Sequence, residues 1–212
     1  MKTVLVTGFE PFGGERRNPS QEIAAALHGR KICGRTIVGA VLPCVFGQSI
    51  AELRRHIRRH QPELVIALGQ AGGRPDITPE RIAINVDDAR IADNTGRQPI
   101  DRRIVRRGPA AFLSTLPIKA IVAALHERGM AASISNSAGT FVCNHVFYGL
   151  MSTLRGRPGV RGGFVHVPFL PEQVKRSEPS LPLRSMIAAI EIAIEVSVTT
   201  RRDHRVTGGK TQ

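Results

Sequence analysis

Short runs of β-branched and aliphatic residues recur along this chain with helix-patterned stretches between them, and that alternation restricts the fold more than any single residue does. Thr3–Thr7, Thr36–Leu42, Leu64–Leu68, Arg81–Asn85, Ala132–Ser135 and Gly163–Val167 have the length and content of strands. Between them, a stretch opened by Asn18 and Pro19, then Gln48–His60, Ile118–Arg128, Phe141–Leu154 and Leu181–Thr199 read as helices. The last carries Met186, Ile187, Ile190, Ile194 and Val198 at helical spacing, a face suited to packing on a sheet. Asn18 suits an N-cap, and Pro19 the first helical position, where its missing N–H costs nothing extra. Strands alternating with helices line up in parallel and cover both faces of the sheet. The sequence therefore predicts one α/β domain over residues 1–200, a three-layer α/β/α sandwich around a mostly parallel twisted sheet. The basic tail 201–212 is expected to fray from the last helix.

With 42% apolar residues the chain can bury a core, and no stretch approaches the roughly 18–20 uninterrupted apolar residues of a membrane helix. The opening MKTVLVTGFEPFGG has too short an apolar run for an export signal. Cys33, Cys44 and Cys143 are odd in number and form no C-x-x-C pair, so neither a zinc site nor a disulfide framework is indicated, and a reducing cytoplasm fits. The net charge of +13, with Arg54, Arg55, Arg58 and Arg59 in LRRHIRRH, raises nucleic acid as a partner. Against it stand the absence of Trp, a single Tyr and no recognition motif. A phosphorylase or peptidyl-tRNA hydrolase would use GFEPFGG to cradle phosphate, but the segment lacks the GK[ST] ending of a P-loop and does not fit G-x-G-x-x-G.

Chemistry concentrates elsewhere. Cys143 lies in SAGTFVCNH, where small turn-forming residues precede a helical pattern, so its sulfur is expected near a helix N-terminus. Partial positive charge there favours a thiolate, and the free N–H groups can hold an oxyanion. The same context also suits an inert buried cysteine. His145, two positions on, projects about 200° around the helix and away from the sulfur. His166 falls near the C-terminal end of a predicted strand, the edge where open α/β sheets gather their sites; an ordinary hydrogen-bonded core histidine is the alternative. A Cys–His pair needs a third group to fix the imidazole, and Glu80, just before RIAIN, is the best placed, though such a carboxylate alone is more often a surface residue.

Four blocks in order, VLVTGFEPFGGERRNPS, ALGQAGGRPDITPERIAINVDDARIADN, SNSAGTFVCNHVFYGLM and GGFVHVPFLPEQ, closely resemble the pyroglutamyl peptidase I family, the pyrrolidone-carboxylate peptidases, from Lys2 to about Glu195. The resemblance implies Cys143 as nucleophile, His166 as its partner and Glu80 as the third member. It implies further an α/β/α sandwich, no cofactor, frequent homotetramers, and removal of an N-terminal pyroglutamyl group from peptides; such a mechanism needs no metal, and the residues themselves point to neither nucleic acid nor membrane as partner. Phe9, Phe12, Phe141 and Val142, with Ile91, match the family's pocket positions; Asn18 and Gln70 add polar groups, and Arg90 helps shape the oxyanion site. A pyroglutamyl ring is small, flat and neutral, so its pocket should lack a carboxylate anchor. Two departures stand out: Ala92 where relatives often have Pro, and Arg102, Arg103, Arg106 and Arg107 in the turn-rich segment Asp93–Leu116. That segment reads as a lid, whose charge would favour acidic residues after the pyroglutamate.

Overall fold

The computed structural model describes residues 2–175 and 178–209. In chain order it runs β1 (Thr3–Phe9), α1 (Pro19–Leu27), β2 (Lys31–Ile32), β3 (Arg35–Leu42), α2 (Gln48–His60), β4 (Leu64–Gln70), β5 (Thr78–Pro79), β6 (Ile82–Ile84) and β7 (Ala111–Leu113). Then follow α3 (Ile118–Glu127), α4 (Val142–Leu154), β8 (Arg161–Val167), a single 3₁₀ turn at Pro171–Gln173, and α5 (Leu183–Thr199). The main sheet has six strands in the order β2-β3-β1-β4-β8-β5. Its inner four, β3, β1, β4 and β8, are parallel, and the two short edge strands pair antiparallel.

Alternate residues along the inner strands point to opposite faces, and each face has its own apolar cluster. Val4, Val6, Leu64, Ile66, Leu68, Val165 and Val167 meet α1, α3 and α5 on one side. Leu5, Phe9, Val65, Ala67 and Phe164 meet α2 and α4 on the other. The three-layer α/β/α architecture read from the alternation is the one observed. Among the described residues no helix is long and apolar enough to cross a membrane.

The first helix settles onto the sheet because two side chains prepare its place. Asn18 Oδ1 accepts the Ser20 N–H at 3.0 Å, while Ser20 Oγ accepts the Phe9 N–H at 3.0 Å. Gly8 lets the backbone of α1 come so close that a Cβ built there would lie 2.0 Å from the Ser20 carbonyl oxygen.

Three expectations change. Ala132–Ser135 does not form a regular strand; it runs parallel to residues 77–81 as two isolated bridges, Ile77 with Ala132 and Glu80 with Ser135. Hydrogen bonds from Ile77 N to Ala131 O, Ser133 N to Ile77 O, Ser135 N to Pro79 O and Arg81 N to Ser135 O mark the path. The bond that would join the bridges needs an N–H at position 79, and proline has none. Arg81–Asn85 contributes only Ile82–Ile84 and pairs with β7 in a separate two-stranded sheet. The tail is held as far as Gly208: Asp203 accepts the Lys119 and Ala120 N–H groups at the start of α3, at 3.1 and 2.9 Å, and Arg81 donates to Gly208 O. Asp203 thus serves a helix whose own N-cap position, Pro117, provides no side-chain acceptor. The rest of that expected tail, residues 210–212, lies outside the described residues.

A methyl at position 8 meets backbone, which cannot swing aside. Gly8→Ala should lower unfolding stability by about 1–3 kcal/mol or more, seen as a lower midpoint in thermal denaturation; an unchanged midpoint would show that α1 does not need this approach.

Candidate active site

The loop Ser137–Phe141 brings the chain across the end of the sheet to start α4. Gly139 takes a left-handed φ of 75°, Ser137 Oγ accepts the Gly139 N–H at 3.1 Å, and Phe141 occupies the N-cap position without a side-chain cap. Cys143 is the second residue of α4, so its sulfur stands where the helix start is not claimed by a capping residue. Beneath it lies Gly69, whose missing Cβ would fall 2.8 Å from Cys143 Sγ. Gly69 is opposite His166 in the β4–β8 register. Paired positions in a sheet project to the same face about 4.8 Å apart, which brings sulfur and imidazole onto one face and into one cavity.

His166 is almost fully buried, its ring centroid 4.8 Å from that of Phe164. Its Nδ1 lies 2.7 Å from Glu80 Oε1, so Nδ1–H is donated to the carboxylate and Nε2 remains for proton exchange. The register explains the meeting. Thr78 of β5 pairs with His166, Glu80 shares the face of Thr78 two residues on, and Glu80 N donates to Phe164 O at 2.9 Å. Glu80 has 0% exposure, and Arg74 Nη1 donates to its Oε1 at 2.7 Å and to Thr78 Oγ1 at 2.8 Å. Burial pushes the Glu80 carboxyl up, but the His166 hydrogen bond and charge, with Ser135 and Arg74, outweigh it and hold the group below the ordinary carboxylate range.

The electrostatics of Cys143 differ from expectation. Burial pushes its thiol up to about 12, the charge of Glu80 adds to the rise, and Arg74 opposes it. Loss of hydration in this buried position therefore disfavours a standing thiolate.

Cys143 and His166 open into a cavity of about 320 Å³ lined also by Phe12, Gln70, Gly72, Arg90, Ile91, Ala138, Phe141 and Phe169. A larger hollow of about 440 Å³ between residues 73–78 and 133–137 holds neither the sulfur nor the imidazole. Five expected pocket residues, Phe12, Gln70, Arg90, Ile91 and Phe141, thus share one cavity with the Cys–His pair. Phe9, Val142 and Asn18 do not line it. Phe9 packs in the core beside Phe164, Val142 is wholly buried, and Asn18 is a buried helix cap whose amide donates to Glu10 O at 3.1 Å. Gly72, Ala138 and Phe169 were missed because their residue types signal no chemistry, although all three lie within the blocks that carry the site.

Arg102, Arg103, Arg106 and Arg107 are exposed and do not line the cavity, so the lid reading is corrected. Their segment is tied down beside Asn85 and Asp87 instead: Asn85 Nδ2 donates to Val105 O at 2.9 Å, and Arg102 N to Asp87 O at 2.9 Å. The cationic side chain at the cavity is Arg90. His145 turns away from the sulfur as expected; Nδ1 meets Asp87 Oδ2 at 2.9 Å and Nε2 accepts the Gly47 N–H at 2.8 Å. Cys33 is exposed and Cys44 buried.

A sequence model of the family described as pyroglutamyl peptidase matches residues 2–200. The pyrrolidone-carboxylate peptidase of Chromobacterium violaceum is 56% identical over 211 residues, 99% of each chain. That of Bacillus cereus is 54% identical over 214 residues, covering both in full. Among solved structures, pyroglutamyl peptidase I of Bacillus amyloliquefaciens superposes with a TM-score of 0.95 at 48% identity, covering 97% of this chain and 99% of that one. The pyrrolidone carboxyl peptidase of Thermococcus litoralis gives 0.94 at 41% identity, covering 98% and 100%.

Arg74 helps hold the Glu80 carboxyl down. A carboxyl with a depressed folded-state value contributes stability above its ordinary range and loses it as pH falls through that value. Arg74→Met should therefore raise the Glu80 value and move the acidic limb of the kcat/KM–pH profile toward neutrality; an unmoved limb would remove Arg74 from this role.

Proposed function

The chain belongs to the pyroglutamyl peptidase family, and on that premise we propose that it is a cysteine exopeptidase hydrolysing the bond after an N-terminal pyroglutamyl residue of peptides. The observation that carries the reading is the cavity itself. It joins a sulfur and a carboxylate-backed imidazole to walls of Phe12, Ile91, Phe141 and Phe169, and among the described residues no Asp or Glu lines it. An aminopeptidase that grips a free α-amino group needs an anion for that purpose. A five-membered lactam has no such charge, and suits an apolar slot with a few neutral hydrogen-bonding groups.

In the proposed mechanism, His166 Nε2 takes the Cys143 thiol proton as sulfur attacks the pyroglutamyl carbonyl carbon. The raised thiol value favours transfer concerted with attack, because a free thiolate is costly in so dry a site. The N-terminal amides of α4 stabilise the oxyanion. His166 then gives its proton to the departing amine as the C–N bond breaks, leaving a thioester. Water, deprotonated by His166, attacks that thioester; the acid leaves and the thiol is restored. Glu80 receives Nδ1–H throughout and supports the imidazolium. The reading includes a homo-oligomer, expected as a tetramer, working in the cytoplasm; light scattering tests the former.

A pyroglutamyl and a prolyl amide of one fluorophore test the reading directly. Release from the pyroglutamyl amide alone is expected, abolished by iodoacetamide and indifferent to chelators, since no step calls for a metal. Cys143→Ala and His166→Ala should each lower kcat by at least about 10⁴-fold, and Glu80→Gln by less, because imidazole orientation survives in part. Equal release from the prolyl amide, or activity that survives in Cys143→Ala, would refute it.

A further inference from the structure

Which end of the Gln70 carboxamide faces the cavity decides what that residue can recognise: its NH₂ reads an acceptor, its oxygen reads a donor. The choice is settled by a relay outside the cavity. The Leu170 backbone N–H can only donate, and it donates to Gln173 Oε1 at 3.0 Å. That fixes Gln173 Nε2 on the other side. There it faces the Arg17 carbonyl oxygen at 3.2 Å and Glu15 Oε2 at 3.3 Å, both acceptors, so the orientation of Gln173 is determined from two directions. The same Nε2 donates to Gln70 Oε1 at 2.9 Å. The oxygen of Gln70 is thereby engaged, and its NH₂ is left for the cavity, with no partner among the described residues.

We infer that Gln173 is a positioning residue: through Gln70 it presents an N–H donor that recognises the ring carbonyl of the pyroglutamyl group. This rests on the proposed function and adds the basis of ring selection to it. Proline has the same ring without that carbonyl, and would leave the Gln70 donor unpaired in a buried site. Gln70 is the last residue of β4 and, one position from Gly69, points to the opposite face from the sulfur. The donor therefore belongs to the ring end of the substrate, while the reacting carbonyl is served at the start of α4. Gln173 comes from the 3₁₀ turn that follows Phe169, a wall of the same cavity, so one short segment shapes the apolar surface and sets the polar one.

The test is a double-mutant cycle read as kcat and KM on a pyroglutamyl coumarin amide. Gln70→Ala and Gln173→Met should each raise KM about tenfold, the scale of one hydrogen bond, with kcat nearly unchanged. The double variant should be no worse than Gln70→Ala, because Gln173 acts only through Gln70. Gln173→Glu keeps the acceptor for Leu170 N–H but removes the donors. It draws the Gln70 NH₂ to itself, turns the oxygen into the cavity against the ring carbonyl, and should raise KM beyond the Met variant. The rate of Cys143 alkylation by iodoacetamide, matching that of the wild type, reports an intact site in each case. Losses that multiply in the double variant, an unchanged KM in both Gln173 variants, or a fall in kcat at constant KM would overturn the inference while leaving the proposed function standing. A wild-type protein unable to cleave the amide would sink both.

Discussion

A carboxylate removed entirely from water keeps its charge only where donors replace the lost hydration, and the arrangement around Glu80 is organised by that demand. His166 and Arg74 converge on one of its oxygens. Its backbone is bonded to β8 on one side and bridged to Ser135 on the other, so the carboxylate is held from both sides of the segment that continues β5. The other oxygen has no hydrogen bond among the described residues, and the nearby Ser135 hydroxyl, which donates to Ser137 O, still helps lower the carboxyl. Removing any of these partners leaves an uncompensated charge at the point where the imidazole is oriented. Fold and chemistry are coupled there.

Three successive residues of α4 then divide the remaining work. Cys143 faces the sheet and the cavity. Asn144, fully buried, accepts the Ile84 N–H and donates to the Ile84 and Val86 carbonyls, fastening the short second sheet to the helix. His145 fastens Asp87 and the start of α2, and its ring stands edge-on to Phe46, which stands edge-on to Phe141 of the cavity wall. The segment that supplies Arg90 and Ile91 is thus tied to the helix that supplies the nucleophile. Helical periodicity alone sends these three side chains in different directions.

The parts of the fold legible in the sequence are those whose pattern is local. β1, β3, β4 and β8 are buried runs, and α1 and α4 start where their flanking residues place them, at Pro19 and just after Phe141. What was not legible depends on distant partners. Asp203 reads as one acid in a basic tail until α3 is found to lack a cap. Ala132–Ser135 has strand composition, but its ladder is decided by Pro79, in a distant part of the chain. In the site, residue type and motif singled out Cys143, His166 and Glu80, and the register brings the last two together. Phe9 and Val142 share the character of true wall residues and differ only in facing the core. The basic segment 102–107 misled for the opposite reason: charge is visible in sequence, but the distance from a cavity is not.

Gly69 has a consequence in genetic terms. Its one hydrogen leaves the volume that the Cys143 sulfur occupies, and every other amino acid brings a Cβ into that space. Each missense change of its codon therefore inserts an atom against the sulfur, whatever chemical character it adds. A change at this strand position would oblige the Cys143 sulfur and the Phe164 ring to shift, so it would disturb the nucleophile although the position donates nothing to the substrate.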